Sequence, residues 1–116
     1  MLTISLICNL GMSTSMLIRK MTEYAKEKGI EADIDAMPFD RMGSRIDRTD
    51  IILLGPQVRH LLKKLTAEHG DKIPVIQVMN MSHYALLKGA EIFDAAYAEY
   101  ILASTKICQR TTRTTP

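Results

Sequence analysis

Four short apolar runs recur along the chain, and the stretches between them decide how those runs can pair. Ile51-Ile52-Leu53-Leu54 has no polar residue to turn toward water, the mark of a strand covered on both faces and so of a parallel sheet. Residues 3–8 are nearly as apolar and read as a central strand. Ile30 to Met37 alternates apolar and acidic residues, a half-exposed strand suited to a sheet edge. Pro74 to Met79 is a fourth strand, with its proline at the start, where a missing N–H is tolerated.

Helical periods fill most of the intervals. From Ser13 to Lys28, Leu17, Met21, Tyr24 and Ala25 recur at spacings of three and four, and Gly29 is a natural stop. Gln57 to Glu68 follows the Gly55-Pro56 punctuation and would bury Val58, Leu61, Leu62 and Leu65. A last helix, Ala90 to Ser104, would turn Ile92, Ala95, Ala96, Tyr100 and Ile101 inward. Pro38 to Thr49 reads as a loop with room for a helical turn, and Asn80 to Gly89 as a connection. The expected architecture is α/β: a doubly wound four-stranded parallel sheet in the order 2-1-3-4, with helices on both faces. Residues 1–105 form one domain in this reading. The polar, threonine-rich stretch 106–116 is expected to lack order.

Composition narrows the function. Lys+Arg 15 against Asp+Glu 13 gives a net charge of +2, too balanced for a nucleic-acid binder. No apolar stretch reaches the roughly 18–20 residues of a membrane span. The start of the chain lacks the basic head and apolar core of a signal peptide. Cys8 and Cys108, at opposite ends, make neither a disulfide framework nor a metal motif. A reduced, cytoplasmic protein is expected, without metal or free cofactor. Methionine is frequent, with 8 residues, and most are expected in the core, although Met12, Met16 and Met21 gather near the first strand–helix junction.

That junction carries the chemistry. If the first strand hands over to a helix beginning at Ser13, Cys8 sits where free backbone N–H groups and the positive end of a helix dipole converge. Such a place favours a thiolate, and equally a phosphoryl group once sulfur carries one. The stabilisers on offer are the amides of Leu10 to Thr14 and the hydroxyls of Ser13, Thr14 and Ser15, while Gly11 lets the backbone turn close to the anion. In a sheet of order 2-1-3-4 the winding direction switches between the first and third strands, beside Cys8. A buried cysteine followed by a Ser/Thr helix cap would explain the same residues without any chemistry. No Walker sequence is present. A cysteine phosphatase or arsenate reductase would need an arginine six positions after the cysteine, where Thr14 stands, and an acid after the fourth strand, where Asn80 stands. A non-catalytic regulatory module on the same fold is a further alternative.

Cys8-Asn9-Leu10-Gly11-Met12-Ser13-Thr14-Ser15-Met16-Leu17, followed by Lys20-Met21, resembles the active-site segment of the IIB components of the bacterial phosphoenolpyruvate:sugar phosphotransferase system, lactose/cellobiose type. Leu53-Leu54-Gly55-Pro56-Gln57-Val58-Arg59 is similar to that family's third-strand turn. The resemblance implies the fold of the low-molecular-weight tyrosine phosphatases. It also implies a monomeric phosphotransferase in which Cys8 is the phosphocysteine and Asn9, Leu10, Gly11, Met12, Ser13, Thr14 and Ser15 form its loop. Its implied partners are IIA, which donates from a phosphohistidine, and the membrane component IIC, which holds the sugar, a β-linked disaccharide. Relatives commonly carry an Asp and then a Tyr-Gly pair after the fourth strand. Here Tyr84 fits that pattern, while Asn80 and Ala85 depart from it.

Other residues carry less weight. Arg59, His83 and Tyr84 are candidates for the rim of the site or for partner contacts. Arg45 and Arg48 read as a solvated face, as do His60 and His69. Asp33 and Asp35 both point outward along an edge strand in this reading.

Overall fold

The computed structural model describes residues 2–7, 12–41, 43–70 and 72–114, and for Met12, Ser13, Ser44 and 104–114 the backbone alone. Its elements alternate as the apolar rhythm requires: β1 (Leu2–Ile7), α1 (Met12–Glu27), β2 (Ala32–Met37), β3 (Ile51–Leu54), α2 (Leu61–His69), β4 (Val75–Val78), α3 (Met81–Ala85) and α4 (Gly89–Thr114). The four strands form one parallel sheet in the order β2-β1-β3-β4. This is the doubly wound arrangement expected from the sequence, and it shares the fold of the low-molecular-weight tyrosine phosphatases.

Burial explains the pairing. All four residues of β3 are buried, since β3 lies between β1 and β4 with packed layers on both faces. On one face Ile4, Leu6, Ile51 and Leu53 meet Leu17 and Met21 of α1 and Phe93 and Ala96 of α4. On the other, Ile7, Ile52 and Leu54 meet Leu65 of α2, with Phe39 and Ile46 packed alongside. Each fully buried side chain of this size contributes about 1.5–3 kcal/mol of transfer free energy. Gly29, at φ +73°, ends α1 in the left-handed conformation that glycine tolerates best.

Several boundaries differ from the sequence reading. The loop 38–49 contains two 3₁₀ turns, Phe39–Arg41 and Gly43–Arg48. The helix expected over 57–68 divides into a 3₁₀ turn, Pro56–Val58, and α2. The final helix does not stop near Ser104. It continues to Thr114, where an unordered tail was expected from 106. No glycine or proline interrupts 104–114, and extending a helix already anchored by packing adds one hydrogen bond per residue fixed. On α4 the inward line is Ile92, Phe93 and Ala96, with Tyr97 and Tyr100 partly buried beside it, whereas Ala95 and Ile101 are exposed. Phe93 is the pivot of that line: it meets Tyr24 edge-on at 5.9 Å and stacks on Tyr97 at 5.7 Å. Among the methionines, Met21, Met37 and Met79 are core as expected, while Met16 and Met81 stand exposed.

Two contacts correct the reading of polar residues. Arg45 is not solvated. Its guanidinium donates to Ser5 Oγ (2.9 Å), to Asp33 Oδ2 (3.2 Å) and to the carbonyls of Ile4 and Asp33 (3.1 and 3.3 Å). Thr49 Oγ1 donates to the Arg45 carbonyl at 2.7 Å, which leaves Ser5 Oγ to donate to Thr49 across 3.0 Å. The ring of bonds satisfies both buried hydroxyls and straps the 43–48 turn to β1 and β2. Asp33 is therefore engaged across the strands, while exposed Asp35 accepts the N–H of its neighbour Ala36 at 2.9 Å. Gly89 opens α4 hard against α1: a Cβ there would stand 2.8 Å from Lys20 Cβ and 3.0 Å from the Met21 nitrogen.

Candidate active site

The carboxyl ends of the strands lie level. Ile7 is in register with Met37 on one side and Leu54 on the other, and Leu54 with Val78. The ladder runs one step further, with Gly55 N–H donating to the Ile7 carbonyl and Met79 N–H to the Leu54 carbonyl, both at 2.8 Å. The turn at Gly55-Pro56 is thus held beside the end of β1. Four residues, 8–11, join Ile7 to Met12.

Cys8, Asn9, Leu10 and Gly11 lie outside the described residues, as do the side chains of Met12 and Ser13. The described ends on either side still define the surroundings. β1 is an inner strand flanked by β2 and β3, so the segment leaves the sheet at the switch between β1 and β3. α1 begins at Met12, one residue earlier than expected, so Ser13, Thr14 and Ser15 belong to its first turn. First-turn N–H groups have no acceptor within the helix. That turn holds no acidic side chain to offset the positive end of the dipole. Thr14 is buried at 2% exposure, and Ser15 and Met16 are exposed.

Of the rim candidates, the structure brings Arg59 and Tyr84 together and separates His83. Arg59 and Tyr84 line one groove beside Pro56 and Gln57, and Gln57 Nε2 reaches toward Tyr84 Oη at 3.4 Å. His83 lines a different hollow of about 270 Å³, with Gln77, Asn80 and Ile92, between β4 and α4. Asn80 serves the fold, capping α3 by accepting the His83 N–H at 3.1 Å. The groove of Arg59 and Tyr84 is also lined by Gln57 and Met81, which sequence reasoning did not name as site candidates. Gln57 follows directly on the Gly55-Pro56 turn, a signal that could have flagged it. Met81 carried no such mark.

A parallel four-stranded sheet with a short strand-to-helix connection at its switch point defines a doubly wound α/β protein, and comparison narrows it. Residues 3–95 match the family described as the lactose/cellobiose-specific IIB subunit of the PTS system, and the chain belongs to that family. It is similar to the oligo-beta-mannoside-specific EIIB component of Bacillus subtilis, 36% identical over 93 residues, which cover 80% of this chain and 90% of that one. Among solved structures it resembles the cellobiose-specific IIB component of Borrelia burgdorferi, with 34% identity and a TM-score of 0.71 over 88% of this chain and 94% of the other. The lactose-specific IIB domain of Streptococcus pneumoniae shares the fold at 17% identity, with a TM-score of 0.72 over 85% of this chain and 97% of that one. The protein is thus a IIB component of a sugar phosphotransferase system. Among the described residues no helix is long and apolar enough to cross a membrane.

Proposed function

We propose that this chain is a phosphocysteine carrier, with Cys8 as the nucleophile and residues 9–15 as its phosphate loop. One observation supports this most: the segment bearing Cys8 leaves an inner strand at the switch point and enters a helix whose first turn is free of carboxylates. In the first step Cys8 sulfur attacks the phosphorus of a phosphohistidine on IIA. The S–P bond forms as the N–P bond breaks, and the thiol proton ends on the departing imidazole. In the second step a hydroxyl of a sugar held by the membrane component IIC attacks the same phosphorus. The S–P bond breaks and the hydroxyl proton passes to the departing sulfur, which restores the Cys8 thiol. Both are in-line displacements whose charge is steadied by oriented N–H groups, with no free cofactor.

Residues 1–105 are the working domain in this reading, a cytoplasmic monomer, and a β-linked disaccharide is the substrate class. Thr14, where a cysteine phosphatase would present its arginine, argues against hydrolysis. The test is intact mass after incubation with phosphoenolpyruvate, the general phosphotransferase proteins and a lactose/cellobiose-type IIA. One phosphoryl group on the wild type and none on Cys8→Ser is expected. Phosphate on both would move the nucleophile elsewhere, and none on either would discard the carrier.

A further inference from the structure

The last helix outruns the body it packs on. α4 lies beside α1 and runs the same way: Gly89 rests against Lys20 and Met21, and Phe93 and Asp94 meet Tyr24. α1 ends at Glu27, whereas α4 continues to Thr114. Among the described residues, Tyr97 and Tyr100 are the last of α4 to pack on the core. The backbone from 101 to 114 runs about 20 Å further, at roughly 1.5 Å per residue.

This extension differs from the body in charge. Residues 101–116 hold Lys106, Arg110 and Arg113 and no acid, so within a net charge of +2 they carry +3 and residues 1–100 carry −1. Positions 102, 106, 110 and 113 follow at spacings of four, four and three, which sets them along one side of a helix. Leu102 heads that line and is 53% exposed, and Ile101 beside it is 46% exposed. The match to the family covers residues 3–95, so the extension lies beyond it.

We infer that the 101–114 extension is a peripheral anchor for an anionic lipid surface. Cations along one side of a helix draw it to anionic headgroups, each raising partition about fivefold near the surface. Apolar side chains beside them enter the headgroup boundary. A nucleic-acid strand would offer Ile101 and Leu102 nothing to enter, and residues 101–116 hold no aromatic ring on which a base could stack. A second copy would set like charges against like. The attachment is independent of the chemistry at Cys8. Its use, keeping a carrier close to a membrane-held acceptor, rests on the carrier reading.

The test is cosedimentation of the full chain with vesicles of phosphatidylcholine alone and of phosphatidylcholine with about one-third phosphatidylglycerol, at low and high salt. The wild type should bind only the anionic vesicles and leave them at high salt. Lys106→Gln with Arg110→Gln and Arg113→Gln should lower partition at least about tenfold. Glutamine is close to lysine and arginine in helix propensity, so this variant keeps the helix. Removing the same charge from the body, by Lys26→Gln with Lys63→Gln and Lys72→Gln at exposed positions, should change partition by less than about threefold. Ile101→Gln with Leu102→Gln should lower it at least about threefold. A wild type that ignores anionic vesicles, binds neutral ones equally, or loses as much with the body charges as with those of the extension would overturn the assignment. So would unchanged binding in the Ile101 and Leu102 variant, or stronger binding to a DNA duplex than to the vesicles. Failure of the carrier reading shows separately, as absence of phosphoryl mass on Cys8.

Discussion

Two arginines, Arg45 and Arg59, meet opposite fates in this molecule. Arg45 is drawn under the 43–48 turn with its side chain 12% exposed, and its donors reach a carboxylate, a hydroxyl and two carbonyls. Arg59 follows a short turn of its own and stands in solvent beside a groove. The difference lies in what each can reach. A buried hydroxyl on the central strand and a carboxylate on the edge strand offer Arg45 a fork-shaped partner set, whereas Arg59 forms no ion pair with any described carboxylate. A cation of the first kind holds the chain together, and one of the second kind adds charge to the surface.

That contrast can be broken by measurement. Arg45→Met should cost about 2–3 kcal/mol in urea unfolding, because it leaves Ser5 Oγ without its charged donor and Asp33 without its partner. A loss below about 0.5 kcal/mol would show that the strap is ornamental. Tyr24 offers an intermediate case, at the surface yet paired, since its hydroxyl donates to both carboxylate oxygens of Asp94 at 2.9 and 2.8 Å. That bond to Asp94 holds the phenol above its ordinary pKa of 10.0, with desolvation adding to the rise. The protonated phenol is the bonded form, so its contribution is complete below the unfolded pKa and is lost as pH rises through the higher folded value. Tyr24→Phe should therefore be less stable than the wild type near neutrality, and the two should converge in strongly alkaline solution. A gap that persists there would assign the effect to packing. The smallest change is expected for Arg59→Met, within about 0.5 kcal/mol of wild-type stability. A larger loss would mean that Arg59, like Arg45, holds the fold.

The same contrast shows what could be read before the structure. β1 and β3 were legible because strands buried on both faces are mostly apolar, and the order of the sheet followed from right-handed crossovers. The edge strand was legible in the alternation of Ile30 to Met37. Arg45 was not, because its partners Ser5 and Asp33 come from β1 and β2, and only the folded register brings them to one place. Phe93 was missed for a local reason: it stands next to Ile92, and the helical count followed Ile92, Ala95 and Ala96 instead. The end of α4 was misjudged because threonines and arginines suit an unordered tail as well as a helix that packing has already begun. At the candidate site, the Cys8 to Ser15 string was conspicuous as a motif. Pairing Arg59 with Tyr84, and parting both from His83, required knowing that α3 folds back over the turn after β3.

The absence of a side chain at Gly89 gives the molecule a shared datum. α1 starts where the phosphoryl group is proposed to sit, and α3, one wall of the groove, ends four residues before Gly89. With no Cβ at Gly89, the start of α4 lies closer to the backbone at Lys20 and Met21 than any other residue would allow. α4 is thus seated on the same helix that follows the Cys8 segment, and a side chain at position 89 would have to push the two helices apart.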